Sequence, residues 1–403
     1  MKKLLDTWAV TGKDLPELYR TLEELTERTH VLQFRTDEIQ MLTLRDISDQ
    51  IYGYINNASG TSNCNIPYSA FNLTYEKNEK NESEKKYLPD RDGILDEISE
   101  MKLMFVFGKE SFLTTKRVLK TLSQRAGSSM GTFALRDELK IRFHRDGGYV
   151  AYMQTVPERC NILYREVDGL KKVYAVFGDR YKEIPQYPLV KHLLEGFETE
   201  MGKLNLDYYS VDNFNTDIQI SFPKKAGDFG KVYNLPHTIT PGLHIHMSDV
   251  GESSFIINGT IGYQKATMYM PSAEYARAHT KNAELSEILE TVSNRIFPEY
   301  TKVPEKLMEL LAIDIPEPAK LIPEIASYCG LKKVIGLKAE KEIIENLTLS
   351  FAAAAFQVNY TAYDLAVSFM DASVEATDGK KDPKILSNIR TAFMRALYFD
   401  YKG

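Results

Sequence analysis

The stretch CNILYREVDGLKKVYAVF, residues 160–177, decides the fold that we expect for this chain. Two runs rich in apolar and aromatic residues flank Asp168-Gly169, and an Asp-Gly pair tolerates the positive φ angles of a tight turn. The stretch therefore predicts a β-hairpin. The same reasoning predicts another hairpin over residues 139–156, whose turn is Asp146-Gly147-Gly148.

A helix and further strands are expected after the hairpins. Val190, Leu193, Leu194, Phe197 and Met201 recur at helical spacing, which predicts a helix over residues 188–203. Strands are predicted near residues 217–222, 242–247 and 253–270. The first of these alternates apolar and polar residues, as half-buried edge strands do.

Both ends of the chain are expected to be helical. Asp14 can cap a helix whose third residue is Glu17, and apolar spacing predicts a second helix around residues 44–55. A basic helix is expected over residues 105–125. A 3.6-residue period that begins at Leu285 predicts a helical C-terminal third.

These patterns predict an α+β fold with a central antiparallel sheet, a packing helix, a helical N-terminal portion and a helical C-terminal third. We expect a helical portion over residues 1–75, a solvated linker or loop over 76–92, an α+β core with a basic β region over 93–280, and a helical portion over 281–403. The linker is predicted because residues 76–92 contain too little apolar surface to offset chain entropy.

Composition narrows the class of protein. The 403 residues are 43% hydrophobic and 26% charged, values that are typical of globular domains. Three cysteines far apart in sequence, Cys64, Cys160 and Cys329, predict neither a disulfide framework nor a zinc ribbon. No signal-peptide core and no apolar run of membrane-spanning length are visible. A cytoplasmic or virion-internal protein is therefore expected, and not a secreted or membrane-spanning one.

The net charge of −6 hides a basic middle segment. Residues 102–182 carry 16 Lys and Arg against 8 Asp and Glu, whereas both flanks are acidic. Cations interleaved with aromatic rings on a sheet are typical of single-strand nucleic-acid binding. The alternative is that these cations pair with the acidic flanks. The nucleic-acid-binding candidates are Lys116, Arg117, Lys120, Arg142, Arg165, Lys171, Lys172 and Arg180, together with Tyr152 and Tyr164.

Histidines supply the best metal-ligand candidates. His244 and His246 are two residues apart on a predicted strand and so share one face, with His237 and Asp249 nearby in sequence. Together they could hold a divalent cation, the one cofactor that we consider. Alternatively, the histidines only face solvent while Leu243, Ile245 and Met247 face the core. No motif of nucleophilic catalysis is present, so a non-catalytic protein is favoured.

Several short stretches resemble a known family. They are Arg165 with the later residues 178–181 (GDRY), SDVGESSFIINGTI at residues 248–261, and NYTAYDLAVSFMDASVEA at residues 359–376. This pattern resembles an uncharacterised phage/plasmid-like protein family of prophages and mobile elements, although the family's cysteine before the glycine at Gly259 is missing. The resemblance implies an α+β fold and a mobile-element origin, but no established activity and no catalytic residues.

Three functions follow from these observations. The first is a homo-oligomeric phage or mobile-element protein that binds or anneals single-stranded DNA during replication or recombination. The second is a self-assembling phage structural protein, or one that contacts host proteins to counter defence. The third is a metal-dependent hydrolase built on the histidines. Among these, DNA binding is ranked first, with no membrane partner.

Overall fold

The computed structural model contains the hairpin predicted over residues 160–177. Residues described are 2–43, 73–77, 83–87, 103–107, 110–115, 118, 121, 158–167, 169–179, 181, 185–251, 254–263, 266–277, 285–354, 359–380 and 383–402.

The described residues contain the following strands and α-helices. The strands are β1 Ala9–Gly12, β2 Thr29–Arg35, β3 Ile39–Thr43, β4 Leu73–Lys77, β5 Ser83–Tyr87, β6 Leu103–Phe107, β7 Glu110–Thr114, β8 Arg159–Val167, β9 Leu170–Gly178, β10 Asn205–Asp212, β11 Thr216–Ser221, β12 Ile239–Met247, β13 Phe255–Tyr263, β14 Ala266–Arg277, β15 Asp314–Ile315 and β16 Tyr360–Thr361. The helices are α1 Leu15–Arg28, α2 Gln186–Met201, α3 Pro223–Tyr233, α4 Leu285–Arg295, α5 Glu299–Leu311, α6 Pro318–Cys329, α7 Leu331–Ile335, α8 Leu337–Ala354, α9 Ala362–Thr377 and α10 Pro383–Met394.

The strands form two six-stranded sheets and two short pairs. Sheet A has the order β1-β10-β11-β12-β13-β14, and all of its neighbours are antiparallel. Sheet B has the order β2-β8-β9-β7-β6-β3, in which only the pair of β7 with β9 is parallel. The predicted α+β class is therefore confirmed, although two large sheets replace the single central sheet that we expected.

The elements next to the quoted stretch lie close to their predicted positions. β8 and β9 pair antiparallel, and Gly169 takes a φ of 78°, which an Asp-Gly turn allows. In α2, every residue predicted on the inner face is buried. The strand predicted over residues 217–222 is β11, but it is central in sheet A, because β10 and β12 flank it.

Two parts of the expected organisation are wrong within the described residues. The N-terminal portion is not mainly helical, since β1 and β2 flank α1; the helix itself begins as predicted, with the Asp14 side chain accepting from Glu17 N. The expected linker contains β5, which pairs with β4. Low apolar content limits burial but does not prevent backbone pairing. The hairpin over residues 139–156 and the helix around 44–55 lie outside the described residues.

Phe105 and its neighbours also differ from expectation. The start of the predicted basic helix forms the hairpin of β6 and β7 instead. Phe105 and Phe112 are fully buried there with Ile162 and Val173 of β8 and β9. Tertiary packing in the sheet therefore overrides the helical pattern.

One face of sheet A is packed by helices. Ile218, Leu243, Ile245 and Ile257 point to this face and share one large hydrophobic core with α1, α2 and the C-terminal helices. The opposite face carries the alternating polar residues of the same strands. The C-terminal third is helical as predicted, apart from the short pair β15 and β16.

Candidate acid–base site

Six of the nucleic-acid candidates lie outside the described residues. They are Lys116, Arg117, Lys120, Arg142, Arg180 and Tyr152. The other four, Tyr164, Arg165, Lys171 and Lys172, lie in the hairpin of β8 and β9.

Arg165 is buried between the two sheets and does not face solvent. Its exposed fraction is 0%, and its Nη2 lies 2.7 Å from Asp249 Oδ2. The guanidinium also donates to Thr29 Oγ1 and to the carbonyl of Asn213. Arg165 as a nucleic-acid contact is therefore wrong, because a phosphate cannot reach it without opening the core.

Lys172 is likewise buried, with an exposed fraction of 3%. Its Nζ lies 2.9 Å from the Leu4 carbonyl and 3.0 Å from Asp6 Oδ1. This side chain holds the N-terminal turn against sheet B, so its prediction as a nucleic-acid contact is also wrong. Asp249 of one acidic flank neutralises Arg165, and Asp6 of the other neutralises Lys172. The alternative interpretation of the charge asymmetry predicted such pairing.

Lys171 and Tyr164 are half-buried neighbours on sheet B. Lys171 Nζ lies 2.8 Å from Glu110 Oε2 and 5.8 Å from the centre of the Tyr164 ring. Burial would lower the pKa of Lys171, but Glu110 outweighs it and raises the pKa overall. These two residues are partly accessible to solvent, but the Lys171 ammonium group already forms an ion pair with the Glu110 carboxylate.

The four predicted metal ligands are not brought together. His237 is exposed and packs edge-on against Tyr263, and Asp249 pairs with Arg165. His244 and His246 do share one face of β12, with ring centroids 6.4 Å apart. No set of three or more His, Cys, Asp or Glu side chains in the described ranges is placed to hold a metal ion.

The residue that joins the two histidines is Asp217 of β11. In the strand register Asp217 lies directly opposite His246, and His244 is the diagonal neighbour on the same face. Such diagonal neighbours are within reach of a long side chain. Asp217 Oδ1 lies 3.1 Å from His244 Nε2 and 2.8 Å from His246 Nδ1. We call these three residues the acid–base cluster.

Burial makes the acid–base cluster chemically unusual. Asp217 is 8% exposed and His244 is 7% exposed. Burial alone would raise the pKa of Asp217, but the hydrogen bonds from both histidines outweigh it and lower the pKa. Asp217 is therefore a carboxylate near neutral pH, and a carboxylate only accepts hydrogen bonds.

The charge on Asp217 fixes the proton on His244. Because Nε2 faces a carboxylate, Nε2 carries the hydrogen, and in the neutral form of the ring Nδ1 then holds a lone pair. Nδ1 is buried without a hydrogen-bond partner in the described structure. An unsatisfied buried polar atom costs about 1–3 kcal/mol, so its retention needs an explanation, and a catalytic role is one such explanation.

Side chains of the neighbouring strands lie next to the acid–base cluster. The Tyr269 ring of β14 packs edge-on against His244, with centroids 5.4 Å apart. Gln219 Nε2 donates to Thr260 Oγ1 over a distance of 2.9 Å, across Gly242 of the strand between them. A Cβ at position 242 would overlap the carbonyl oxygen of Ile220 and meet Thr260 Oγ1 at 2.9 Å, so glycine is needed where these strands lie so close.

Comparison with family models, with curated proteins and with solved structures gives no match for this chain. The resemblance to phage/plasmid-like proteins therefore stays a prediction. None of the helices in the described ranges is both long and apolar enough to cross a membrane.

Proposed function

We propose that the acid–base cluster is a catalytic site at which His244 accepts a proton from a bound hydroxyl group or from water. The carrying observation is the buried, unpartnered Nδ1 of His244 on a ring whose Nε2–H is held by Asp217. In general-base catalysis a carboxylate often orients the histidine that accepts the proton, and Asp217 and His244 have this arrangement. The proposal departs from the non-catalytic protein favoured by sequence patterns.

Each residue of the cluster has a distinct role in this proposal. His244 takes the proton on Nδ1 and becomes an imidazolium. Asp217 fixes the tautomer beforehand and stabilises the positive charge afterwards. His246 donates to the same carboxylate oxygen, which keeps Asp217 ionised despite burial.

Ester hydrolysis tests the proposal with a probe that carries no charge. We expect the purified chain to hydrolyse p-nitrophenyl acetate, and His244→Gln to lower kcat/KM by about 10²- to 10⁴-fold. His192→Gln is the matched control, because His192 is exposed on α2 and bonds only locally to Pro188 O. Equal rates for wild type and His244→Gln would overturn the proposal.

We also propose, as a second candidate, that the chain binds single-stranded DNA through the cations of residues 102–182 other than Arg165 and Lys172. The excess of 16 Lys and Arg over 8 Asp and Glu in this segment favours it. Assembly into homo-oligomers, a mobile-element origin and a host-interaction role remain predictions beside it.

Fluorescence anisotropy with a labelled oligothymidylate tests this second candidate. Affinity should fall steeply as salt rises, because each neutralised phosphate releases counterions. Arg142→Glu should weaken binding, whereas Lys306→Glu on the C-terminal helix α5 should not. No binding at low salt would remove the candidate.

A further inference from the structure

Two carboxamide side chains flank His244 in sheet A. Asn258 of β13 lies directly opposite His244 in the strand register, and Gln219 of β11 lies directly opposite it on the other side. Directly opposite residues of an antiparallel pair point to the same face of the sheet, with Cβ atoms about 4.5–5.5 Å apart. Asn258 and Gln219 therefore stand beside the His244 ring on the polar face of sheet A.

The two carboxamides differ in what they bind. Gln219 Nε2 donates to Thr260 Oγ1 over 2.9 Å, so its amide group is engaged within the sheet. Asn258 is only 9% exposed, yet it forms no side-chain hydrogen bond in the described part of the chain. A primary carboxamide carries two N–H donors. The donors of Asn258 are thus available to a bound molecule next to the base.

Solvent reaches this part of the polar face. The side chains of His244 and His246 keep exposed fractions of 9% and 15%. The nitrogen and the oxygen of the Asn258 carboxamide both contact solvent. A small group can therefore approach Asn258 and the His244 ring from solvent without opening the core between the sheets.

The charges around Asn258 favour an uncharged ligand. The Asp217 carboxylate bonds to the neighbouring His244, and Glu274 of β14 is exposed directly opposite Asn258. Two carboxylates repel an anionic substrate but leave a neutral one unaffected. A carbonyl group is neutral and accepts hydrogen bonds from a carboxamide.

We propose that Asn258 donates a hydrogen bond to the carbonyl oxygen of an uncharged carboxylic ester, whose carbonyl carbon is attacked by the water that His244 deprotonates. This inference rests on the proposed acid–base function and names its substrate class. A base and an oxyanion donor on adjacent strands are the two groups that acyl transfer to water needs within reach of one carbon atom.

The reaction balances with these two residues. The water oxygen forms a bond to the carbonyl carbon while its proton moves to His244 Nδ1, and negative charge develops on the carbonyl oxygen. Asn258 stabilises that charge by donating to it. When the bond from the carbon to the alcohol oxygen breaks, the departing alcohol takes the proton from His244. The products are a carboxylic acid and an alcohol.

Steady-state hydrolysis of p-nitrophenyl acetate by the full chain tests the proposal. We expect Asn258→Ala to lower kcat by about 10²- to 10³-fold, as loss of one oxyanion donor does. KM should change little, because the charge develops only in the transition state. Asn258→Asp, which keeps the size but replaces the N–H donors, should lower kcat as well. Asn205→Ala is the matched control, since Asn205 is exposed on β10 of the same sheet.

The substrate class is tested with a second ester that has the same leaving group. p-Nitrophenyl phosphate carries negative charge and has phosphorus in place of the carbonyl carbon. We expect the wild type to hydrolyse it more slowly than the acetate. Faster hydrolysis of the phosphate would overturn the assignment to carboxylic esters.

Failure of this inference is distinguishable from failure of the acid–base proposal. Hydrolysis that depends on His244 but is equal in wild type, Asn258→Ala and Asn258→Asp overturns the inference and leaves the base in place. Hydrolysis that depends on Asn258 but ignores His244 retains the donor and overturns the base. No hydrolysis by the wild type overturns both. Circular dichroism of each variant excludes misfolding as the cause.

Discussion

Arg165 Nη2 of β8 lies 2.7 Å from Asp249 Oδ2, which follows β12, so one buried ion pair connects the two six-stranded sheets. Asn213 joins this junction: its side chain donates to the carbonyls of Lys3 and Leu5 and accepts from Arg28. Tyr181 donates to the Asp249 carbonyl. The motif residues Arg165 and Tyr181 thus have a structural role in the described molecule.

Removal of one partner from this pair should be costly. Asp249→Ala leaves Arg165 buried and unpaired, so we expect a loss of about 3–5 kcal/mol in the free energy of unfolding. The matched control is Glu317→Ala, whose exposed pair with Lys320 has the same 2.7 Å separation. It should cost at most about 1 kcal/mol. Urea denaturation measures both, and equal losses would contradict the structural role of the junction.

Acid should remove a stabilising contribution of Asp217. Because the pKa of Asp217 is lower in the folded state than in the unfolded chain, its contribution is present above the unfolded value and is lost as pH falls through the folded value. The difference in unfolding free energy between wild type and Asp217→Asn should therefore shrink as the pH falls below the ordinary aspartate value of about 4. Asp179→Asn, at an exposed position, should show no such gap. A gap that widens in acid would contradict the ionised Asp217.

Two glycines of β13 should differ sharply in their tolerance of alanine. A Cβ at Gly259 would overlap Met270 Cε and approach Ile296 Cγ2 at 2.8 Å, whereas a Cβ at Gly262 would meet only Thr240 atoms at 3.5 Å. Gly259→Ala should cost about 1–3 kcal/mol through overpacking, and Gly262→Ala should be nearly neutral. Thermal denaturation compares them. Similar midpoints would show that the core facing Gly259 relaxes freely.

Cys329 should be inert in the folded protein. Burial raises the pKa of its thiol to about 12, so the reactive thiolate is scarce at neutral pH. Cys160 is buried as well. In a Cys64→Ser variant we expect no reaction with Ellman's reagent in buffer and two reacting thiols in urea. Rapid labelling under native conditions would contradict the burial of these two cysteines.

Local patterns allowed the hairpin of β8 and β9 and the helix α2 to be predicted, because each period of apolar residues is set within a few positions. The partners of the buried cations could not be predicted in this way. Arg165 meets Asp249 across 84 positions of sequence, and Lys172 meets Asp6 across 166. Their alternation with aromatic residues looks the same whether the polar face meets solvent or another sheet.

Part of the acid–base cluster could be predicted from the sequence. The two-residue spacing placed His244 and His246 on one face of a strand. The alternation of polar and apolar residues placed Asp217 and Ile218 on opposite faces of another strand. The missing step was the register between β11 and β12, which puts Asp217 directly against His246. Proximity in sequence suggested Asp249 as the acidic neighbour of the histidines instead, but in the structure Asp249 pairs with Arg165.

The tautomer of His244 tests the central claim most directly. Long-range ¹H–¹⁵N NMR of histidine-labelled protein, assigned with His244→Gln, reports which ring nitrogen carries the proton. We predict that Nε2 carries the proton and that Nδ1 does not. A ring protonated at Nδ1, or one that Asp217→Asn leaves unchanged, would contradict a base held ready by Asp217.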